Sequence, residues 1–203
     1  MTDILNLKIG TLELRRELLH ILTGIVAILL ISHGILTPWI IFFILLLGIL
    51  LSFLSLRTEV PLISWFLNNF EREKDRKELP GRALLFGLAG SLLVLKLFPM
   101  DIALASITIL TFADPISHII GKCFGRIKSI FDKNKNIEGH ISGFIISSLF
   151  AMLLVPVWMA LVGSFVAVVF ESLIIEVQKI KLDDNLLIPL AAGTAMYLLR
   201  IWF

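Results

Sequence analysis

Asp114 and Pro115 stand between strongly apolar runs, where an ionisable side chain is costly and indicates a functional site by default. Counted in helical steps from Asp114, the residues His118, Gly121 and Lys122 share its face, at i+4, i+7 and i+8. A carboxylate can hold a divalent cation or accept a proton, and a lysine can bind phosphate as a point charge. The spacing therefore predicts a polar face suited to phosphate chemistry.

The same stretch has the composition of a helix start, because aspartate is a good N-cap and proline fits the first helical position. The apolar stretch 102–112 before it is only about 16 Å long as a helix. We therefore predict that a new helix begins at Pro115 and that Gly121 and Gly125 allow a ligand or another backbone to approach closely. A simple proline kink with Asp114 as a capping residue is the alternative interpretation.

Lys135 and Glu138 precede the next apolar run, which begins at Gly139. A lysine here can bind phosphate, and Glu138 can hold a metal or act as a base. A lysine that extends to the membrane surface is the alternative. Gly143 and Ser147, one and two turns beyond Gly139, are typical of close helix packing.

Glu13, Arg16, Glu17 and His20 follow helical spacing and lead as a polar stripe into the first apolar run. This stripe either forms a second wall of the same site or is a network in which Arg16 satisfies Glu13 and His20.

Further along the chain, Glu171 lies in an apolar run and needs a cation or a metal as partner. Asp183, Asp184 and Asn185 then form an acidic turn whose oxygens are ligands of the kind that Mg²⁺ takes. A solvated helix cap at Asp184 or Asn185 is the alternative.

Composition determines the elements that must position these residues. The 203 residues are 58% hydrophobic and 17% charged, with a mean hydropathy of +0.96, and apolar runs recur along the whole chain. We predict an all-α, polytopic helical bundle that forms one integral membrane domain over 1–203, with the fourth span broken at Asp114–Pro115 and a solvated, charged loop between the second and third spans. The predicted spans are 17–35, 38–56, 82–98, 102–120, 139–156, 158–177 and 185–202.

Positive charge predicts the orientation of this bundle. Of the 18 lysines and arginines, all but Lys96 and Arg200 fall in the N-terminal tail or the loops 57–82, 121–138 and 179–184. The positive-inside rule then predicts a cytoplasmic N-terminus, and the polar residues described above face the cytoplasm. The single cysteine, Cys123, excludes an intramolecular disulfide, and a net charge of +2 argues against binding of nucleic acid.

Taken together, these residues resemble the CTP-dependent membrane lipid kinases, namely dolichol or polyprenol kinase, phytol kinase and CTP-dependent diacylglycerol kinase. The resemblance rests on four features in order: Glu13–Arg16 with His20; Ala113–Pro115 with Gly121, Lys122 and Gly125; Lys135–Gly139; and Glu171 followed by Asp183–Asn185 and Pro189. Arg16 stands where lysine is common in that family, and His140 where a small hydroxyl residue is common.

The resemblance implies transfer of the γ-phosphate of CTP to the primary hydroxyl of a membrane lipid alcohol, with Mg²⁺ as cofactor. We expect an isoprenoid alcohol as acceptor, with diacylglycerol as the alternative. The expected roles are as follows: catalytic, Asp114, Lys122, Lys135 and Glu138; nucleotide-binding, Arg16, His20, Gly121, Lys122, Gly125, Lys135 and Gly139; metal-binding, Asp114, Glu171, Asp183 and Asp184; substrate-binding, His118 and Asn185.

Two other functions remain open at this point. A CTP-dependent cytidylyltransferase would use similar carboxylates on a lipid phosphate, and an ion-coupled transporter would use a broken helix with buried acids. The predicted clustering of polar groups on one side argues against a path across the membrane. No Walker-A or protein-kinase glycine loop is present in the sequence. The number of subunits stays open.

Overall fold

A computed structural model of the chain describes residues 10–58, 60–129, 135–172, 176–177, 180–181 and 183–203. This part of the chain is almost entirely helical. Its helices are α1 (Thr11–Ser32), α2 (Pro38–Ser55), α3 (Pro61–Phe70), α4 (Glu73–Glu78), α5 (Arg82–Leu97), α6 (Met100–Phe124), α7 (Ile137–Ala151), α8 (Val157–Ser172) and α9 (Asp184–Trp202). Each predicted span overlaps one helix, namely α1, α2 and α5 to α9.

Helix α6 is the centre of the bundle. Its residues from Ile102 to Ala113 are all buried, and it packs against α1, α7, α8 and α9. The core on one side of α6 is formed with α8 and α9, and the core on the other side with α1, α2 and α5. A helix that is apolar on every face is stable only when other helices surround it. Because α6 is surrounded in this way, polar side chains at its C-terminal end can contact several neighbouring helices.

The prediction that the fourth span is broken at Asp114–Pro115 is wrong, because α6 continues through Pro115 to Phe124 without interruption. Pro115 has no N–H to donate to the carbonyl of Thr111, and proline within a helix normally costs about 3 kcal/mol. Tertiary packing outweighs this cost here, since α6 is enclosed by other helices and membrane helices tolerate internal proline. The helix is therefore about 37 Å long, and the apolar stretch 102–112 is only its first half.

The segment between α2 and α5 differs from the predicted solvated loop. Pro61 at the first helical position starts α3, a ten-residue helix that buries Leu67 and exposes Leu62 (77%) and Trp65 (60%). A short helix with exposed apolar side chains is typical of a segment lying in the membrane interface. Only the following helix, α4, matches the expectation, because its charges are exposed and pair along the helix, as Lys77 does with Glu73.

The sixth predicted span, 158–177, also ends earlier than expected. Helix α8 stops at Ser172, and residues 173–175 lie outside the described part of the chain. Glu176–Val177 (β1) pairs with Ile180–Lys181 (β2) as a two-residue antiparallel ladder, so the all-α class holds except for this hairpin.

Three of the described helices, α2, α6 and α9, are long and apolar enough to cross a membrane by length and composition. Helices α7 and α8 are apolar but shorter. The exposed surface of the bundle is rich in large apolar side chains, as expected for a protein with lipid around it. Seven spans and a cytoplasmic N-terminus stay predictions.

Candidate active site

A narrow polar cavity of about 30 Å³ lies where α6, α7 and α8 meet. It is enclosed by the C-terminal half of α6, by the first turn of α7 and the residues just before it, and by the end of α8. Its lining residues are Asp114, Ser117, His118, Gly121, Lys122, Lys135, Asn136, His140 and Glu171. Six residues that were predicted to carry chemistry thus meet in one place, although they lie up to 57 positions apart in the sequence. They are Asp114, His118, Gly121, Lys122, Lys135 and Glu171.

Lys135 and Glu171 form the ionic centre of this cavity. The Lys135 ammonium lies 3.1 Å from Glu171 Oε1 and donates to the Glu171 carbonyl oxygen at 2.6 Å. Glu171 is only 3% exposed, and its second oxygen accepts a hydrogen bond from Ser117 Oγ at 3.0 Å. A buried carboxylate needs a cation and further hydrogen bonds, and this one has both.

Two more carboxylates act on the same lysine. Asp184 Oδ2, at the start of α9, lies 3.9 Å from Lys135 Nζ, and Asp114 is close enough to interact with it electrostatically. Burial pulls the pKa of Lys135 down, but the negative charges of Glu171, Asp114 and Asp184 outweigh it and raise the pKa above its ordinary value. Lys135 is therefore held in its protonated form.

Helix α1 contributes a second ionic cluster against α6. His118 Nδ1 lies 2.6 Å from Glu17 Oε1, and Glu17 is only 5% exposed. Glu13, one turn earlier, accepts two hydrogen bonds from the Arg72 guanidinium, at 2.7 and 2.8 Å, and one from Arg16 at 2.9 Å. The hydrogen bond from Arg72 lowers the pKa of Glu13 to about 2 against the opposing effect of burial.

The polar stripe of α1 is thus a network that contacts the cavity residue His118, and none of its own residues is among those that line the cavity. The predicted contact of Glu13 with Arg16 is confirmed, whereas the described residues include no hydrogen bond between Arg16 and the His20 imidazole. Glu17 was predicted only as a member of this stripe and was given no catalytic or binding role of its own. Its spacing of four from Glu13 and three from His20 was the available signal, but its partner His118 lies 101 positions away.

A wider cleft of about 550 Å³ adjoins the narrow cavity and is lined by 122–126 and Glu138. Lys122 lines both, so it stands at their boundary. Glu138 Oε1 accepts hydrogen bonds from the backbone N–H groups of Arg126 (2.9 Å) and Ile127 (3.1 Å). Hydrogen bonds from its own backbone N–H and from that of Arg126 lower the pKa of Glu138 below its ordinary value. The carboxylate therefore fixes the wall of the cleft in place.

Close packing of α6 on α7 brings these walls together. A Cβ on Gly139 would overlap the carbonyl oxygen of Ser117 and come within 3.0 Å of Gly121 Cα, and a Cβ on Gly143 would overlap Ser117 Oγ. Gly125 is equally tight against Asn136, whose amide donates to the carbonyl oxygen of Gly121 at 2.6 Å. These glycines allow the backbones to approach closely, which is the helix-packing role expected for Gly143.

The two aspartates of the acidic turn before α9 have different contacts. Asp183 caps α9 by accepting from the Asn185 backbone N–H at 3.1 Å, and its other oxygen accepts from Arg82 Nε at 2.8 Å. Asn185 is buried and donates its side-chain amide to Asp183. Neither Asp183 nor Asn185 lines the cavity among the residues that the structure describes, whereas Asp184 reaches towards Lys135.

The predicted site residues therefore fall into three groups. Those that meet around the narrow cavity are Asp114, His118, Gly121, Lys122, Lys135, Glu171 and, beside them, Asp184. Those in the adjoining cleft or at the helix crossing are Gly125, Glu138 and Gly139. Those that lie outside both are Arg16, His20, Asp183 and Asn185. Ser117, Asn136 and His140 were missed as site residues, although Ser117 lies one helical turn from Asp114.

Comparisons with known proteins were made by family model, by solved structure and by curated sequence. No family model matches the chain, and no solved structure matches it. The chain is 31% identical over 182 residues to an uncharacterized protein of Methanocaldococcus jannaschii, which covers 87% of this chain and 88% of that protein.

Other matches are to proteins whose names state an activity. The chain is 27% identical over 210 residues to CTP-dependent diacylglycerol kinase 1 of Schizosaccharomyces pombe, covering 92% of this chain and 93% of that protein. It is 30% identical over 144 residues to a chloroplastic protein of Triticum aestivum named "Probable phytol kinase", covering 63% and 47%. These matches agree with the ordered motifs that meet around the cavity, and they support a place for the chain in the family of CTP-dependent lipid kinases.

Proposed function

We propose that this protein transfers the γ-phosphate of CTP to the primary hydroxyl of a membrane isoprenoid alcohol of the polyprenol, dolichol or phytol type, at the cytoplasmic face of the bilayer. The observation that carries the proposal is the convergence of Asp114, Lys122, Lys135 and Glu171 on one narrow cavity in an otherwise apolar bundle. Phosphoryl transfer depends on positioning and charge neutralisation more than on covalent chemistry, and this set supplies both.

The two adjoining cavities suggest how the nucleotide lies. The wider cleft has room for the nucleoside and phosphates, and the narrow cavity, about the volume of one water molecule, lies next to it, so the γ-phosphate would lie where the two meet. Lys122 at their boundary and Lys135 inside the narrow cavity would bind successive phosphates as point charges. Glu138 supports this arrangement by holding the backbone of the cleft wall, and Gly121, Gly125 and Gly139 support it by allowing the close approach of α6 and α7.

The donor set fits a magnesium ion. Asp114, Glu171 and Asp184 supply carboxylate oxygens around Lys135, and hard oxygen ligands are what Mg²⁺ prefers. Asp114 and Asp184 would hold the ion together with phosphate oxygens, while Glu171 is held by Lys135 and Ser117. When bound, the ion would neutralise charge on the phosphates. The predicted participation of Asp183 requires its contact with Arg82 to be exchanged.

Diacylglycerol is the second candidate acceptor, and one finding favours it. The S. pombe relative is named as a diacylglycerol kinase and matches this chain over 93% of its own length. The phytol kinase match covers a smaller part of the chain but supports an isoprenoid alcohol. Both acceptors present a primary hydroxyl at the membrane surface with an apolar tail in the bilayer, so the residues that contact phosphate would be the same.

The test is transfer of label by the purified protein in liposomes with Mg²⁺. γ-Labelled CTP or ATP is supplied against polyprenol, dolichol, phytol, geranylgeraniol and diacylglycerol. We expect label in an isoprenoid alcohol from CTP, with CDP as the other product. The Asp114→Asn variant should lose transfer by at least about 100-fold while remaining folded. Glu73→Gln is the matched control, because Glu73 is an exposed carboxylate on α4 and its neutralisation should leave the rate unchanged.

The outcomes separate the competing functions. Label in diacylglycerol alone would retain the kinase and replace the acceptor. Release of pyrophosphate with formation of a CDP-lipid from a lipid phosphate would indicate the cytidylyltransferase. A folded protein that binds no nucleotide would contradict both enzymes and favour a transporter.

A further inference from the structure

We propose that His118, held by Glu17, is the group that accepts the proton of the lipid hydroxyl, and that Glu17 is its positioning residue. This inference rests on the proposed function. The two residues come from different helices, α6 and α1, and neither a proton-accepting role for His118 nor any role for Glu17 follows from their positions in the sequence.

The first step of the argument is the hydrogen bond between the two side chains. Glu17 Oε1 lies 2.6 Å from His118 Nδ1, and Glu17 is buried. An ionised carboxylate accepts hydrogen bonds and donates none, so Nδ1 must carry the proton. Neutral histidine carries only one ring proton, and Nε2 is therefore left with a lone pair. A carboxylate that fixes the tautomer and orientation of an imidazole in this way makes it an effective base.

The second step is location. His118 lines the narrow cavity that contains Asp114, Lys122, Lys135 and Glu171, so its ring adjoins the position proposed for the transferring phosphate. The structure describes no hydrogen bond to His118 Nε2. Of the other candidate bases, Glu171 is held by Lys135 and Ser117, Glu138 is held by backbone N–H groups, and Asp114 is assigned to the magnesium ion in the proposed function. His118 thus combines an available proton-accepting atom with access to the site.

The third step concerns Glu13, the other carboxylate beside His118 and Glu17. The ligand atoms of Glu13, Glu17 and His118 lie within 4.8 Å of one another, close enough for a shared metal ion. Glu13, however, already receives hydrogen bonds from Arg72 and Arg16. Two guanidinium groups neutralise this carboxylate, so the cluster is built as an ion-pair network that buttresses Glu17 and not as a cation site.

The proposed step is balanced in atoms and electrons. The lipid hydroxyl oxygen forms a bond to the γ-phosphorus while its proton passes to His118 Nε2. The bond between the γ-phosphorus and the oxygen that bridges to the β-phosphate breaks, and its electron pair leaves on CDP. The imidazolium, stabilised by Glu17, then releases its proton to water before the next turnover.

The charged and titratable groups around His118 bear on its pH dependence. Glu13 and Glu17 face it from α1, and Asp114 and Lys122 lie on its own helix. Three more groups line the same cavity: Lys135 just before α7, His140 on α7 and Glu171 on α8. Replacing Glu17 with glutamine removes the charge that favours the imidazolium. The acidic limb of the rate profile should therefore move to lower pH.

The experiment compares single-turnover transfer from CTP by the wild type, His118→Ala, Glu17→Gln and the control His33→Ala. His33 lies at the end of α1, outside the site. We expect His118→Ala to lose about 100-fold in rate or more, with CTP affinity within twofold of the wild type. Added imidazole should restore part of the rate, and a series of substituted imidazoles should restore it according to their basicity. His33→Ala should match the wild type.

Each result decides the proposal. His118→Ala within threefold of the wild type would overturn it. A folded His118→Ala variant that is slow, insensitive to imidazole basicity and unchanged in its pH profile would also overturn it, since His118 would then act only in packing. If the wild type transfers no phosphate to any lipid, the proposed kinase function itself fails. An active wild type with an unaffected variant rejects only the proton-accepting role.

Discussion

Lys135 and Glu171 show how strongly the environment of a single residue decides its role. The ammonium lies 3.1 Å from a carboxylate whose side chain is almost completely buried, and Ser117 completes the hydrogen bonding of that carboxylate. Removing one partner of a buried pair leaves an uncompensated charge, which is far more costly than losing an exposed pair. The same lysine is proposed to bind phosphate, so stability and activity are coupled at this position.

Lys135→Met should therefore lower the free energy of unfolding by about 3–5 kcal/mol and abolish transfer. Adding Glu171→Gln removes the stranded charge, so the double variant should recover most of the stability but none of the activity. Thermal unfolding in detergent measures the first effect and γ-labelled CTP the second. Lys77→Met breaks the exposed pair with Glu73 and should change stability by no more than about 0.5 kcal/mol. An equally small effect of Lys135→Met would contradict the buried pair.

At the scale of the elements, the crossing of α6 and α7 determines the shape of the site. Gly139 and Gly143 bring the α7 backbone against Ser117, and the same approach places Lys135 near Glu171. The proline within α6 does not break the helix, because packing on all sides holds it in place. The cavity is therefore formed by the gap that remains between closely packed helices.

Gly139→Ala should separate α6 from α7, because the new methyl group would overlap the backbone of Ser117. We expect a loss of about 1–3 kcal/mol in stability and reduced CTP binding. Gly87→Ala is the matched control, since a Cβ at Gly87 on α5 meets no atom within 4 Å. That change should leave stability the same or raise it by up to about 1 kcal/mol, because alanine is the better helix former. The free energy of unfolding and the CTP affinity of both variants, measured side by side, test this prediction. A larger loss for Gly87→Ala than for Gly139→Ala would contradict it.

At the scale of the whole molecule, the ionic groups are segregated. Among the described residues, the site and the ion pairs of α1, α4, the start of α5 and the start of α9 lie towards one end, and the opposite end has the pair of Asp101 with Arg200 and the contact of Lys96 with Trp39. The hydrogen bond from Arg200 lowers the pKa of Asp101 below its ordinary value. The two groups of polar residues thus lie at opposite ends of the bundle, and the side of the membrane that each end faces stays a prediction.

Single cysteines introduced in a Cys123→Ser background test the orientation. With a cytoplasmic N-terminus and seven spans, Ile35→Cys and Phe203→Cys should react with a membrane-impermeant maleimide in intact cells. Lys74→Cys should react only after the membrane is permeabilised. All three positions are exposed, so accessibility within the protein does not limit labelling. Labelling of position 74 but not position 35 in intact cells would reverse the orientation, and unequal labelling of positions 35 and 203 would exclude an odd number of spans.

The sequence by itself determined most of the long helices and the polar residues of the candidate site. Apolar runs set the bounds of α2, α5 and α9 to within a residue or two, since burial of an apolar face is a local property of the pattern. It also identified Asp114, Lys122, Lys135 and Glu171, because ionisable residues in apolar surroundings are conspicuous.

Only the tertiary structure decided which of these residues meet. The continuity of α6 through Pro115 depends on neighbours that a local helix-start pattern does not include. The contact of Glu17 with His118 spans 101 positions and that of Lys135 with Glu171 spans 36, so neither could be read from spacing within one helix. Such contacts arise from how closely glycine-lined helix faces pack, and that is a property of the assembled bundle.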